Sequence, residues 1–197
     1  MRTVARRLTW YACADSTNIL AENCTFHHST GIALGSIGQF RNQYETISDF
    51  TARHIVAYNT HYAAYAKTWT GISQGTPPNG GGGGLGYMRN ITMSDFKVYN
   101  AQQGFYVTQC NSYSGFMGEC DSSKFQVEDL RFEDVRGTLE TGVVASLQCS
   151  GVAPCTGISI EHVKFTVGNT GVPADSYLCS NVSRPVGFTC NGVTPQT

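Results

Sequence analysis

Five segments of the chain share one pattern, apolar-x-apolar-x-polar-apolar-x-apolar, and this repeat constrains the fold more than any other feature. It fits Ile19-x-Ala21-x-Asn23-Cys24-x-Phe26, Ile91-x-Met93-x-Asp95-Phe96-x-Val98, Phe125-x-Val127-x-Asp129-Leu130-x-Phe132 and Ile158-x-Ile160-x-His162-Val163-x-Phe165. It fits Ile55-x-Ala57-x-Asn59-Thr60-x-Tyr62 more loosely. The starts lie 33 to 36 residues apart, inside the range of about 20–50 residues typical of solenoid repeats. Period-two alternation makes each half of the template a strand with one buried face. At the polar residue the alternation slips by one, which would turn the buried set outwards unless the chain bends there. A strand, a sharp corner at Asp, Asn or His, and a second strand keep both apolar sets on one interior. That is the path of a coil in an all-β, parallel β-helix solenoid. Helical solenoids need a period of 3.6. A β-sandwich or jelly roll with regular strand spacing stays open on these grounds. If the five starts are equivalent, Ile19, Ile55, Ile91, Phe125 and Ile158 form one interior ladder.

Two stretches break the rhythm. Thr76-Pro77-Pro78-Asn79 and the glycines Gly80 to Gly84 suit neither strand nor helix and read as an excursion between coils. After Gly168 the repeat ends. The chain therefore divides into an atypical segment, 1–15, coils over 16–170, and a C-terminal cap, 171–197, of the kind that an open solenoid end requires. The N-terminal end shows no comparable cap, so the repeat reads as already under way at Ile19. Met1 to Ala14, with Arg2, Arg6 and Arg7 before a short apolar stretch, makes a poor signal peptide.

The eight cysteines fall into close pairs: Cys13 with Cys24, Cys110 with Cys120, Cys149 with Cys155, and Cys179 with Cys190. None has the C-x-x-C spacing of a zinc or redox site. Four local disulfides in an oxidising compartment are the simplest reading, against buried thiols in a reducing one. Three N-x-[ST] sequons, at Asn23, Asn90 and Asn181, agree with a secreted glycoprotein. The net charge of -1, from 13 basic and 14 acidic residues, gives no field for nucleic acid or an anionic membrane. An acidic ligand would have to meet a few placed cations. A monomer is expected.

Two runs are candidates for function. Ser29 to Gly38 is glycine-spaced but lacks the lysine of a phosphate cradle; a tight turn between coils explains it equally well. In Tyr62 to Gly71, strand alternation places Tyr65, Lys67 and Trp69 on one face. Aromatic rings beside an ammonium suit an acidic sugar; the alternative is an exposed strand with a solvated lysine. The five histidines are scattered and read as structural, so neither a metal nor a cofactor is expected. There is no close Asp pair of the sort a glycosidase needs and no G-x-S-x-G elbow.

The run Ser29-Thr30-Gly31-Ile32-Ala33-Leu34-Gly35-Ser36-Ile37-Gly38 resembles the G-H-G-x-S-I-G-S-x-G motif of family 28 glycoside hydrolases, the polygalacturonases and rhamnogalacturonases. Tyr65-Ala66-Lys67-Thr68-Trp69 resembles their R-I-K-T-W motif at the right distance. The cysteine regions around Cys149, Cys155 and Cys179 look like those of fungal secreted members. The resemblance implies a right-handed, pectin-lyase-like parallel β-helix and inverting hydrolysis of galacturonosyl linkages in pectin. It implies substrate contacts from Thr30, Gly31, Tyr65, Lys67 and Gln109. Thr30 replaces the motif's His and Tyr65 its Arg, a departure that resembles rhamnogalacturonases. The family's N-T-D and D-D motifs, which carry the catalytic aspartates, are absent. The sequence thus supports a pectin hydrolase whose catalytic residues lie outside it, so that the chain alone can be inactive. A non-catalytic carbohydrate-binding β-helix and an adhesin-like solenoid are the alternatives.

Overall fold

The computed structural model describes residues 3–6, 10–12, 14–72, 81–112 and 119–194. The chain is a right-handed parallel β-helix built from two sheets. The ten-stranded sheet comprises β1 (Thr3–Arg6), β3 (Ser16–Glu22), β4 (Cys24–His27), β6 (Glu45–Tyr58), β8 (Gly86–Ala101), β10 (Gln126–Leu139), β12 (Cys155–Thr156), β13 (Ser159–Glu161), β14 (Lys164–Val167) and β16 (Val182–Ser183). The six-stranded sheet comprises β2 (Trp10–Ala12), β5 (Ile32–Ile37), β7 (Tyr62–Trp69), β9 (Gln103–Asn111), β11 (Val143–Gln148) and β15 (Ser176–Ser180). Each coil runs from one sheet to the other, and every strand pairing is parallel.

The long strands β6, β8 and β10 stay hydrogen-bonded through sharp bends because each bend is one residue with positive φ. Asn18, Asp49, Asn90 and Asp129 form one column of such corners; Asn23, His54, Asp95, Asp134 and His162 form a second; His28, Asn59 and Asn100 form a third. The left-handed conformation costs an L-residue about 1–2 kcal/mol, least for the short polar side chains found here. Neighbours in a column bond to each other: Asn90 Nδ2 donates to Asp49 Oδ1 at 2.6 Å and Asn100 Nδ2 to Asn59 Oδ1 at 3.0 Å.

Three corners per coil correct the expected ladder. The template's polar residue is a true corner in every match, but Asn23, Asp95 and His162 belong to the second column, Asp129 to the first and Asn59 to the third. The interior ladder is Ile19, Phe50, Ile91 and Leu130, with Ile158 just before Ser159, the partner of Arg131. Ile55 pairs with Phe96 instead. Phe125 lies before β10, buried against Gly38 and Gly86. Coil length therefore varies, 31 residues from Ile19 to Phe50 and 41 from Phe50 to Ile91, because excursions of different length separate the strands. Phe26, Phe50, Phe96, Phe105 and Phe132 fill the interior with these aliphatics; each such side chain contributes about 1.5–3 kcal/mol.

The coils reach beyond the expected bounds. β1 pairs with β4 and β2 with β5, so the stack includes strands from the segment 1–15. At the other end β15 continues the six-stranded sheet through β11.

Disulfides join Cys110 to Cys120, Cys149 to Cys155 and Cys179 to Cys190. The fourth expected bridge is not formed. Cys24 is a free thiol whose Sγ lies 3.4 Å from the Glu22 carbonyl oxygen, and burial pushes its pKa up. Cys13 lies outside the described residues. Cys24 pairs with Thr3 in the ten-stranded sheet, whereas Ala12 pairs with Leu34 in the other. Sequence proximity misled the pairing because the chain crosses between sheets in that interval.

Candidate functional site

In the middle of β7 and β9, over Ala64 to Lys67 and Phe105 to Val107, inward and outward residues alternate. Ala64, Ala66, Phe105 and Val107 point into the core. Tyr65 and Lys67, with their register partners Tyr106 and Thr108, occupy the opposite face. One strand further, Ser146 and Gln148 extend the two rows. The expected pair Tyr65 and Lys67 is therefore brought together, and the neighbouring coil repeats it as Tyr106 and Thr108.

Three tyrosines form one cluster there. Tyr62 stacks on Tyr106 with centroids 4.9 Å apart and planes 10° apart. Tyr65 lies 4.9 Å from Tyr62 and 5.4 Å from Tyr106, tilted against both. The Tyr106 hydroxyl donates to Gln148 Oε1 at 2.7 Å. Burial pushes the Tyr106 pKa up to about 12, with Tyr62 adding to the effect, and burial also raises that of Tyr62. Lys67 is half-buried, and loss of hydration lowers its pKa. Among the described residues no carboxylate forms a salt bridge with it. The face thus offers a partly dehydrated ammonium beside neutral phenol rings, an arrangement suited to a carboxylate on a ring that packs against aromatic surface.

Other expected site residues play different parts. Gln109 shares the inward phase of Phe105 and Val107 and is fully buried. Its Nε2 donates to the carbonyls of Phe125 at 2.6 Å and Ala153 at 3.1 Å, and its Oε1 accepts from the Ser150 amide at 2.9 Å. It pins two excursions together and is fully buried, which corrects its assignment as a substrate contact. Gly31 is buried with φ +89°, and a Cβ added there would overlap the Tyr62 carbonyl. Its conformation serves the close passage of two coils, the turn reading of the glycine run. Thr30 is half-buried just before β5. Trp69 leaves the face because the register shifts between Lys67 and Trp69; its indole N–H donates to Ser36 Oγ.

Tyr62, Tyr106, Thr108 and Gln148 were not singled out from the sequence as site residues. A signal existed: Tyr106-x-Thr108 repeats Tyr65-x-Lys67 after 41 residues, the length of that coil. His54 Nδ1 lies 2.5 Å from Asp95 and His162 Nδ1 3.5 Å from Asp134, both at corners, while His27 stacks on Tyr58.

None of the six strands of this sheet contains Asp or Glu.

The fold is a parallel β-helix whose shorter sheet presents aromatic side chains and one lysine on its outer face. The chain belongs to glycosyl hydrolases family 28, whose sequence profile matches residues 11–190. It is 47% identical over 180 residues to alpha-L-rhamnosidase rgxB of Aspergillus niger, covering 91% of this chain and 42% of that protein. It is 30% identical over 175 residues to exopolygalacturonase A of Aspergillus niger, covering 86% of this chain and 40% of that protein. Its fold matches the crystal structure of endo-xylogalacturonan hydrolase from Aspergillus tubingensis with a TM-score of 0.69, at 21% identity, over 92% of this chain and 46% of that one. The chain spans less than half the length of these relatives.

Proposed function

We propose that this chain forms one wall of the substrate cleft of a secreted, inverting, pectin-degrading glycoside hydrolase. The observation that carries the reading is the half-buried Lys67 ammonium, without a carboxylate partner among the described residues, beside Tyr62, Tyr65 and Tyr106. A galacturonate fits: its carboxylate meets Lys67 and its ring packs against the tyrosines. Thr30 and Gly31 border this surface. Three disulfides favour an extracellular setting.

The substrate we favour is rhamnogalacturonan rather than unbranched polygalacturonan. Thr30 and Tyr65 depart from the polygalacturonase-like motifs, and a rhamnosidase is 47% identical to the chain. Lys67 would then hold the galacturonate next to a neutral rhamnose. The absence of Asp and Glu from the six-stranded sheet supports binding without turnover by the chain as it stands, since inversion needs two carboxyl groups across the scissile bond. Calorimetric titration with rhamnosyl-galacturonate and with digalacturonate tests the site. Both ligands should lose affinity on Lys67→Ala, with the rhamnosylated one binding more tightly in the parent. Equal affinities for parent and folded variant would remove the site.

A further inference from the structure

The ten-stranded sheet carries a second feature that the cleft does not use. Past the second corner column, Lys97, Arg136 and Lys164 occupy the same register position on β8, β10 and β14. All three are exposed. Among the described residues none of their side chains forms a hydrogen bond or salt bridge. They line three linked surface grooves. A groove of about 390 Å³ runs from Asn23 and Thr25 past His54 to Lys97. Another, also of about 390 Å³, joins Lys97 and Tyr99 to Arg136. A third, of about 270 Å³, joins Arg136 to Lys164. Together they make a trough along the helix axis, with one cation for each of three successive coils.

The carboxylates facing this trough are Asp95 and Asp134, each engaged by a corner imidazole, His54 or His162. Glu133 and Glu161 stand before the corner, and Glu161 accepts the Ser159 hydroxyl. Two residues beyond Lys97, Tyr99 stacks at 4.8 Å on Tyr58 of the preceding coil, and His27 stacks on Tyr58 at 4.7 Å. Both ring faces of Tyr58 are covered by this stack, and one face of Tyr99. These spacings measure the step between coils.

We propose that Lys97, Arg136 and Lys164 form a second binding surface for a linear acidic polysaccharide lying along the helix axis, separate from the Lys67 face. A polyuronate carries one carboxylate per sugar, so a segment lying along the trough can set several carboxylates against its three cations. Tyr58 and Tyr99 bond to the sugar hydroxyls. A polymer engaged along the trough is held near the protein while a chain end or branch occupies the cleft on the other sheet. The trough does not depend on the cleft reading, because none of its residues touches Tyr65 or Lys67.

Affinity electrophoresis of the full chain in gels containing de-esterified polygalacturonate tests the surface. Replacing the cations together, by Lys97→Gln, Arg136→Gln and Lys164→Gln, should weaken retention at least ~5-fold, while Lys67→Gln leaves most of it. Retention should vanish at about 1 M salt, where the Debye length falls to about 3 Å. A triple variant that unfolds at the parent temperature yet is retained like the parent overturns the proposal. Equal retention by fully methyl-esterified pectin, which is neutral, also overturns it, as does stronger retention by DNA of equal charge. If the triple variant does not fold, Arg136→Gln alone must still weaken retention measurably, and unchanged retention again overturns the proposal.

Discussion

Tyr62 and Tyr106 stand on neighbouring strands with their rings stacked 4.9 Å apart, and this stack aims the Tyr106 hydroxyl at Gln148 one strand further on. Three coils are thereby coupled across the face that carries Lys67. Tyr106→Phe removes only the hydroxyl. It should lower stability by about 0.5–1.5 kcal/mol, the usual net worth of one hydrogen bond. Tyr106→Ala removes the stack as well and should cost about 3–5 kcal/mol, as large aromatic truncations do. Thermal unfolding of both variants measures the difference.

The environment of Lys67 fixes a pH dependence. Loss of hydration lowers its pKa below the ordinary lysine value, so it sheds its charge earlier as pH rises. Tyr62 and Tyr106, pushed the other way, stay neutral through that interval. Digalacturonate affinity should therefore fall on the alkaline side at a pH below that of a free lysine. Lys67→Arg, which keeps its charge, should move the fall upwards. The sign for stability is opposite: burial disfavours the folded ammonium, so the penalty that Lys67 imposes on folding is relieved as pH rises past its lowered pKa. Titrations across the alkaline range, with unfolding measured at each pH, check both signs.

Gln109 separates a structural role from a binding one. Gln109→Ala leaves the carbonyls of Phe125 and Ala153 and the amide of Ser150 without partners in a dry interior. At about 1–3 kcal/mol for each orphaned group, the loss should be roughly 3 kcal/mol or more. Ligand affinity of the fraction that remains folded should be unchanged. Chemical denaturation combined with calorimetry measures both.

The three sequons differ although all sit at positive-φ corners. Asn181 Nδ2 donates to the Cys149 carbonyl at 2.9 Å, and Asn90 Nδ2 to Asp49. Among the described residues the exposed Asn23 amide forms no such bond. Asn181→Gln should destabilise more than Asn23→Gln, by about 0.5–1.5 kcal/mol. Both replacements sacrifice the same left-handed preference, so the difference isolates the side-chain bond. In protein secreted from a eukaryotic host, peptide mass mapping should find Asn23 more fully glycosylated than Asn181.

What the sequence makes legible here is local. Alternation with a slip at Asp, Asn or His marks a real corner at every match, and alternation again places Tyr65 and Lys67 on one face. Coil length is not local. Three chemically equivalent corners recur in each coil and excursions of unequal length intervene, so one template aligns Asn23 with Asn59 and Asp129, which belong to different columns. The inward phase of Gln109 becomes readable only when β9 is known to run from Gln103, with Phe105 and Val107 turned to the core. Tyr106 was legible through its repeat of Tyr65, but only at the 41-residue spacing of that coil.

The account holds that the chain binds acidic pectic sugar through Lys67 and its tyrosines but supplies no acid–base pair on that face. Release of reducing sugar from rhamnogalacturonan and polygalacturonate by the purified chain is the most direct test. The expected result is binding that Lys67→Ala weakens, with no product above the uncatalysed background. Turnover that survives repurification would contradict the account, because the carboxyl groups would then lie among residues it assigns to structure.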